Sequence, residues 1–125
     1  MTKINLSLLF LVFLLFFGCN MASKKDTINK KELISVLKQD SVKIIDVRTK
    51  EEYEEAHIPN AINYPIESLE DSLIHLDKSE KIIVVCRTGN KSRKATKLLL
   101  DNGFERVYDA GKWQNTEKIL KELEK

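Results

Sequence analysis

"KIIVVCRTGNKSRKATKLLL" occupies residues 81–100. Its first half is an unbroken apolar run at residues 82–85 that stops at Cys86. A short polar stretch with one glycine follows, and a helical pattern begins near Ser92, with Ala95, Leu98 and Leu99 on one face and Gly103 at its end. An apolar run of this kind reads as a strand buried on both sides, which is the signature of a parallel sheet. The cysteine therefore stands at the carboxyl end of a strand, directly before a helix. Loops at that edge of an open parallel sheet carry ligand chemistry.

The flanking segments repeat the alternation. "NKKELISVLKQ" (29–39) reads as a short amphipathic helix with Asn29 as N-cap and Glu32 three residues on. "SVKIIDV" (41–47) reads as a buried strand, and "TKEEYEEA" (49–56) as a helix opened by the capping-box spacing Thr49 to Glu52. "HIPNAINYP" holds two prolines and reads as a loop with a short extended piece at 61–64. "IESLEDSLIHL" (66–76) has Leu69, Leu73 and Leu76 at helical spacing. "ERVYDA" (105–110) is a further strand and "NTEKILKELEK" (115–125) a final helix. Strands alternating with helices predict an α/β fold with the sheet covered on both faces.

The chain has 125 residues, 42% hydrophobic and 32% charged, with a formal net charge of +2. It is long enough for one domain, and its balanced charge gives no footprint for nucleic acid. The start, "MTKINLSLLFLVFLLFFGCN", has one lysine followed by an apolar run at residues 8–17. The run is about half the ~20 residues that span a bilayer, which fits a signal-peptide core. Gly18-Cys19 closes it and resembles a bacterial lipoprotein signal, although Phe16-Phe17 departs from the usual residues there. That resemblance implies a signal over 1–18, a lipid on Cys19, a tether over 19–28, a domain over 29–125, and an envelope location facing the periplasm or exterior. A plain secretory signal or an uncleaved anchor is the alternative, with Cys19 incidental.

Cys86 is the centre of the functional reading. The N–H groups of residues 87–92 can turn inward as an anion cradle, aided by the helix N-terminus, and Gly89 permits the tight turn. Arg87, Lys91 and Arg93 add positive charge, and such surroundings favour a cysteine thiolate. A lone cysteine is otherwise often an inert core residue. A core cysteine has no need of a basic, glycine-containing turn, so the expectation is a nucleophile facing an anionic substrate.

The loop "CRTGNKS", made of Cys86, Arg87, Thr88, Gly89, Asn90, Lys91 and Ser92, resembles the active-site loop Cys-x-x-Gly-x-Arg-Ser of the rhodanese-type sulfurtransferases. "IIDVRTKEEYEEAHIPNAIN" and "DNGFERVYDAGKWQN" resemble two further motifs of that family, so the likeness covers about residues 29–117. Single-domain size with an export signal is similar to the phage-shock-type periplasmic members. The resemblance implies a three-layer α/β/α fold around a five-stranded, mostly parallel sheet. It also implies that Cys86 accepts sulfane sulfur from thiosulfate or a similar anionic donor as a persulfide and passes it to cyanide or a thiol. No cofactor or metal is implied, and no metal-ligand spacing or dinucleotide fingerprint is present in the sequence.

Two positions depart from the family pattern. Lys91 replaces an arginine, exchanging a planar fork for a point charge. Asn60 replaces a glycine, and asparagine tolerates the left-handed conformation better than most residues. Among supporting residues, Asp46 and Arg48 are expected to organise the strand end, with Arg48 paired to Glu51 or Glu52. His57 is expected to be a hydrogen-bonded loop residue, His75 to face solvent, and Trp113 either to wall the site or simply to pack. Fold-related phosphatases and arsenate reductases are the competing class. They place an arginine six positions after the cysteine, where this chain has Ser92, with Arg93 one later. A non-catalytic binding module of the same fold is the third reading, and such modules commonly lose the cysteine.

Overall fold

The apolar run ahead of the cysteine forms the centre of a parallel sheet. In the computed structural model, which describes residues 27–125, strand β3 (Lys81–Cys86) is buried from residue 82 to its end. It lies between β1 (Val42–Asp46) and β4 (Arg106–Lys112), and a two-residue β2 (Ile62–Asn63) completes the order β2-β1-β3-β4. Every pairing is parallel. The readings of a signal over 1–18 and a lipidated Cys19 lie outside the described residues.

The sheet has four strands among the described residues, all parallel, where the family resemblance implies five, mostly parallel. Beside β4, the Ile28 N–H donates to the Asp109 carbonyl at 2.9 Å. The next residue, Asn29, already caps a helix, so the described chain leaves the sheet edge after one bond.

Among the described residues, five α-helices connect and cover the strands: α1 (Lys30–Leu37), α2 (Lys50–Glu55), α3 (Leu69–Ser72), α4 (Asn90–Asp101) and α5 (Trp113–Leu123). Successive strand residues point to opposite faces. Ile45, Val47, Ile82 and Val84 pack on one face against Leu69, Leu76, Leu99 and Phe104. Ile83, Val85 and Ala110 pack on the other against Leu33, Val36, Ile58 and Ile119. Two separate cores, one on each side of one sheet, make the three layers.

Both predicted helix starts form. The Asn29 side chain accepts from the Glu32 N–H at 2.9 Å, and Thr49 and Glu52 complete the reciprocal capping box. Residues 66–76 differ from the single helix that leucine spacing predicts. They break into a 3-10 turn (Ile66–Ser68), the one-turn α3 and a second 3-10 turn (Leu73–His75). Ser68 and Ser72 donate back to the carbonyls of Pro65 and Ser68, at 3.4 and 3.3 Å, and such back-bonding competes with a regular helix. Asn60 adopts the left-handed conformation, φ +65°, in a turn closed by the Ala61 N–H on the Ile58 carbonyl at 3.0 Å. Proline followed by a left-handed residue at the centre is the pattern of a type II turn.

One irregularity bears on the site. Val84 pairs with Asp109 but Val85 pairs with Gly111, so Ala110 is the extra residue of a β-bulge in β4. Bulges re-aim side chains, and this one lies level with the last residues of β3.

Candidate active site around Cys86

Only Arg87, Thr88 and Gly89 separate the end of β3 from the start of α4, two residues earlier than the sequence pattern suggests. So short a connection requires a left-handed residue. Gly89 supplies it at φ +101°, where a side chain would be strained although the nearest atom to a Cβ, the Gly111 Cα, is 3.8 Å away. This turn brings the Gly89 N–H back onto Cys86 Sγ at 2.9 Å. The sulfur is buried, and an N–H donor directed at it stabilises negative charge there. Gly89 is also the N-cap of α4 and offers no side-chain cap, so the first-turn N–H groups lack that partner.

Ser92 and Lys91 have different tasks. The Ser92 hydroxyl is buried, donates to Asp109 Oδ1 at 2.7 Å and sits 3.1 Å from the Gly89 carbonyl oxygen. Asp109 Oδ1 also accepts from the Gly111 N–H at 3.0 Å, and its Oδ2 from the Thr27 hydroxyl at 3.2 Å. Ser92 is thus a strut tying the loop to the β4 bulge. Asp109 escaped the sequence reading; an acid between Tyr108 and Ala110 in a strand is the signal that could have found it. Lys91 Nζ lies 3.4 Å from Glu67, and Arg87, with a side chain 76% exposed, lies 3.7 Å from Glu52. Exposed pairs of this kind are worth about 0–1 kcal/mol, so both cations can be redirected to a ligand. Thr88, Asn90 and Arg93 are exposed.

The end of β1 is held by a buried ion pair. Arg48 binds Asp46 through Nε at 3.0 Å and Nη2 at 2.7 Å, with the two side chains 5% and 0% exposed. Its Nη2 also donates to the Ala56 carbonyl at 2.7 Å, its Nη1 to the Glu52 carbonyl at 3.3 Å, and its guanidinium lies 4.6 Å from the Trp113 ring. Arg48 therefore pairs with Asp46 and not with the carboxylates of Glu51 or Glu52. The Glu52 carboxylate is already committed to the Thr49 N–H and hydroxyl, both at 3.2 Å, and to Arg87. Asn63, which the sequence did not single out, donates to the carbonyls of Asp46 and Arg48 at 3.0 Å and fixes the same strand end.

His57 and His75 stand apart from this chemistry. His57 Nδ1 is 2.8 Å from the Tyr53 carbonyl oxygen, and its ring stacks on Tyr53 at 3.8 Å. His75 is exposed.

A pocket of about 410 Å³ opens beside the loop, lined among others by Arg48, Glu52, Glu55, Arg87, Trp113 and Gln114. Cys86 does not itself line it, but the residues that follow the ends of two paired strands do. Arg87 follows it directly, and Trp113 follows Lys112, the residue paired with Cys86 across the sheet.

The Thr49 N–H, opposed by partial burial and helped by the Thr49 hydroxyl and the charges of Lys91 and Arg87, holds the Glu52 carboxyl below its ordinary 4.5. A carboxyl depressed in the folded state adds stability above its unfolded value and loses it as pH falls through the folded one. Glu52→Gln should destabilise the domain at neutral pH and match the parent well below pH 4.5. Urea unfolding at both pH values checks this, and an equal gap at both would contradict it.

A family model described as a rhodanese-like domain matches residues 29–112. The adenylyltransferase and sulfurtransferase UBA4 of Meyerozyma guilliermondii is 38% identical over 98 residues, covering 72% of this chain and 23% of that protein. The chain spans between 17% and 37% of the length of the curated relatives compared with it. A rhodanese-like domain protein from Staphylococcus aureus is 31% identical with a TM-score of 0.64, covering 74% of this chain and 91% of that one. A rhodanese from E. coli, solved with anions, is 30% identical with a TM-score of 0.56, covering 59% and 89%.

Proposed function

Because this chain belongs to the rhodanese-like domain family, we propose that it is a sulfurtransferase carrying sulfane sulfur as a persulfide on Cys86. The donor is thiosulfate or a similar anion, and the acceptor a thiol or cyanide. The observation that carries this reading is the Gly89 N–H directed at the buried Cys86 sulfur, 2.9 Å away, in a three-residue turn at a helix N-terminus. In the first step the Cys86 thiolate attacks the outer sulfur of thiosulfate. The sulfur–sulfur bond of the donor breaks, and sulfite leaves with the electron pair. The Gly89 N–H and the uncapped first turn of α4 suit the negative charge that the persulfide keeps. The similar rhodanese from E. coli was solved with anions, which is in keeping with an anionic donor.

The short loop also speaks against phosphate chemistry. Ser92 is buried and engaged with Asp109, while Arg93 is exposed on α4, so neither supplies the arginine that a phosphatase loop places around its substrate. Steady-state kinetics test the proposal: the pattern should be ping-pong, with sulfite released before the acceptor binds. Brisk release of phosphate from aryl phosphates without sulfur transfer would overturn it.

Lys91 attracts the donor, and Glu67 competes for it. Lys91→Ala should raise the apparent KM for thiosulfate and Glu67→Gln should lower it, each about two- to fivefold and more at low salt. Kinetics identical to the parent at every salt concentration would show that neither charge matters.

The proposal extends to location. The apolar run ending in Gly18-Cys19 supports a lipid anchor holding the domain at the bacterial envelope, and each buried acyl methylene contributes about 0.8 kcal/mol. Cys19→Ser should move the protein from membrane to soluble fractions or block its processing. Unprocessed cytosolic parent protein would contradict this.

A further inference from the structure

We infer that the pocket beside Cys86 is an acceptor subsite selecting a small thiol that bears a protonated amine. The inference rests on the persulfide reading of Cys86 and adds the chemistry of the molecule that collects the sulfur. At about 410 Å³ the pocket is near the small end of ligand sites and has ample room for a small thiol. Its charges do not cancel. Arg48 is neutralised by Asp46, and Arg87 faces Glu52 at 3.7 Å. The carboxylate of Glu55, exposed at the last residue of α2, has no ion-pair or hydrogen-bond partner among the described residues. Lys91 pairs with Glu67 and does not line the pocket, and the carboxylate its charge reaches there is Glu52, already faced by Arg87. One uncompensated negative charge and an indole wall therefore share a pocket with Arg87, the residue that follows the nucleophile in its basic loop. That combination attracts a cation and gives its carbon chain an apolar surface.

The loop itself takes the anionic donor, so the two half-reactions draw on different charges. In the second, the outer sulfur of the persulfide anion takes up from solvent the proton that the acceptor thiol gives to it, and the acceptor's sulfur bonds to that outer sulfur. The bond between that sulfur and Cys86 Sγ breaks, and its electron pair returns to Cys86 as thiolate. The acceptor leaves as its own persulfide, and no further oxidant or reductant is consumed. An ammonium group held at Glu55 would orient such a thiol for attack.

Trp113 is the only tryptophan of the chain, so its fluorescence reports the pocket without any sulfur chemistry. The parent protein is titrated with S-methylcysteamine, which carries an ammonium group and cannot react, and with its N-acetyl derivative. The charged ligand should bind about fivefold more tightly, and Glu55→Gln should bring the two close to parity. Equal binding of both ligands by the parent, or an unchanged preference in Glu55→Gln, would overturn the inference. In parallel, sulfur transfer from loaded enzyme to cysteamine and to N-acetylcysteamine is compared per thiolate, which removes their differing thiol acidity. The same fivefold ratio in kcat/KM is expected, and a ratio near one would overturn the acceptor role. Binding selectivity in a protein that never loads sulfur would count against the persulfide reading while leaving the amine site standing.

Discussion

Cys86→Ser should abolish sulfur transfer and leave the fold in place. Cys86 is the only cysteine among the described residues, so no second thiol there can resolve or replace its persulfide. Serine is nearly isosteric, and its oxygen can still accept the Gly89 N–H that now reaches Sγ at 2.9 Å, so no buried donor is stranded. The alcohol cannot carry the sulfur, however. Loss of activity with stability within about 1 kcal/mol of the parent is the expected result, read by sulfite release and by urea unfolding. Residual transfer at more than a trace would show that the sulfur passes elsewhere.

Arg48→Ala should produce the largest loss of stability. The guanidinium holds the fully buried Asp46 carboxylate, the Ala56 carbonyl and the Trp113 ring together. Its removal strands a buried charge, which typically costs about 3–5 kcal/mol, a large part of the ~5–15 kcal/mol that holds a domain folded. Replacing both partners by apolar residues, Arg48→Met with Asp46→Leu, should cost less than the sum of the single changes because no charge is then left alone. Urea unfolding of the four proteins measures the coupling. A loss below about 1 kcal/mol for Arg48→Ala would show that solvent compensates Asp46 better than its burial implies.

The parts of this structure that were legible in the sequence are those decided by neighbours along the chain. The Asn29 cap, the Thr49–Glu52 capping box and the left-handed Asn60 each depend on a few adjacent residues, and each forms. The apolar run of β3 was equally plain, because burial on both faces leaves no polar positions to confuse its period. What was misread depends on distant groups or on competition between local bonds. Leucine spacing at residues 69, 73 and 76 shows which side is buried, but not that Ser68 and Ser72 turn their hydroxyls back on the helix. Arg48 had three carboxylates within four residues, and only the fold shows that Glu52 is engaged with Thr49 while Asp46 lies beneath the guanidinium. The loop residues were readable as a group through their family resemblance. The partner that braces them, Asp109, lies seventeen residues beyond Ser92, on the neighbouring strand β4.

Mass spectrometry of the intact soluble domain after thiosulfate treatment tests the central claim most directly. The account predicts one added sulfur atom, mapped to Cys86, removed by an acceptor thiol and missing from Cys86→Ser. An unmodified Cys86 after exposure to thiosulfate and to other sulfane-sulfur donors would contradict it.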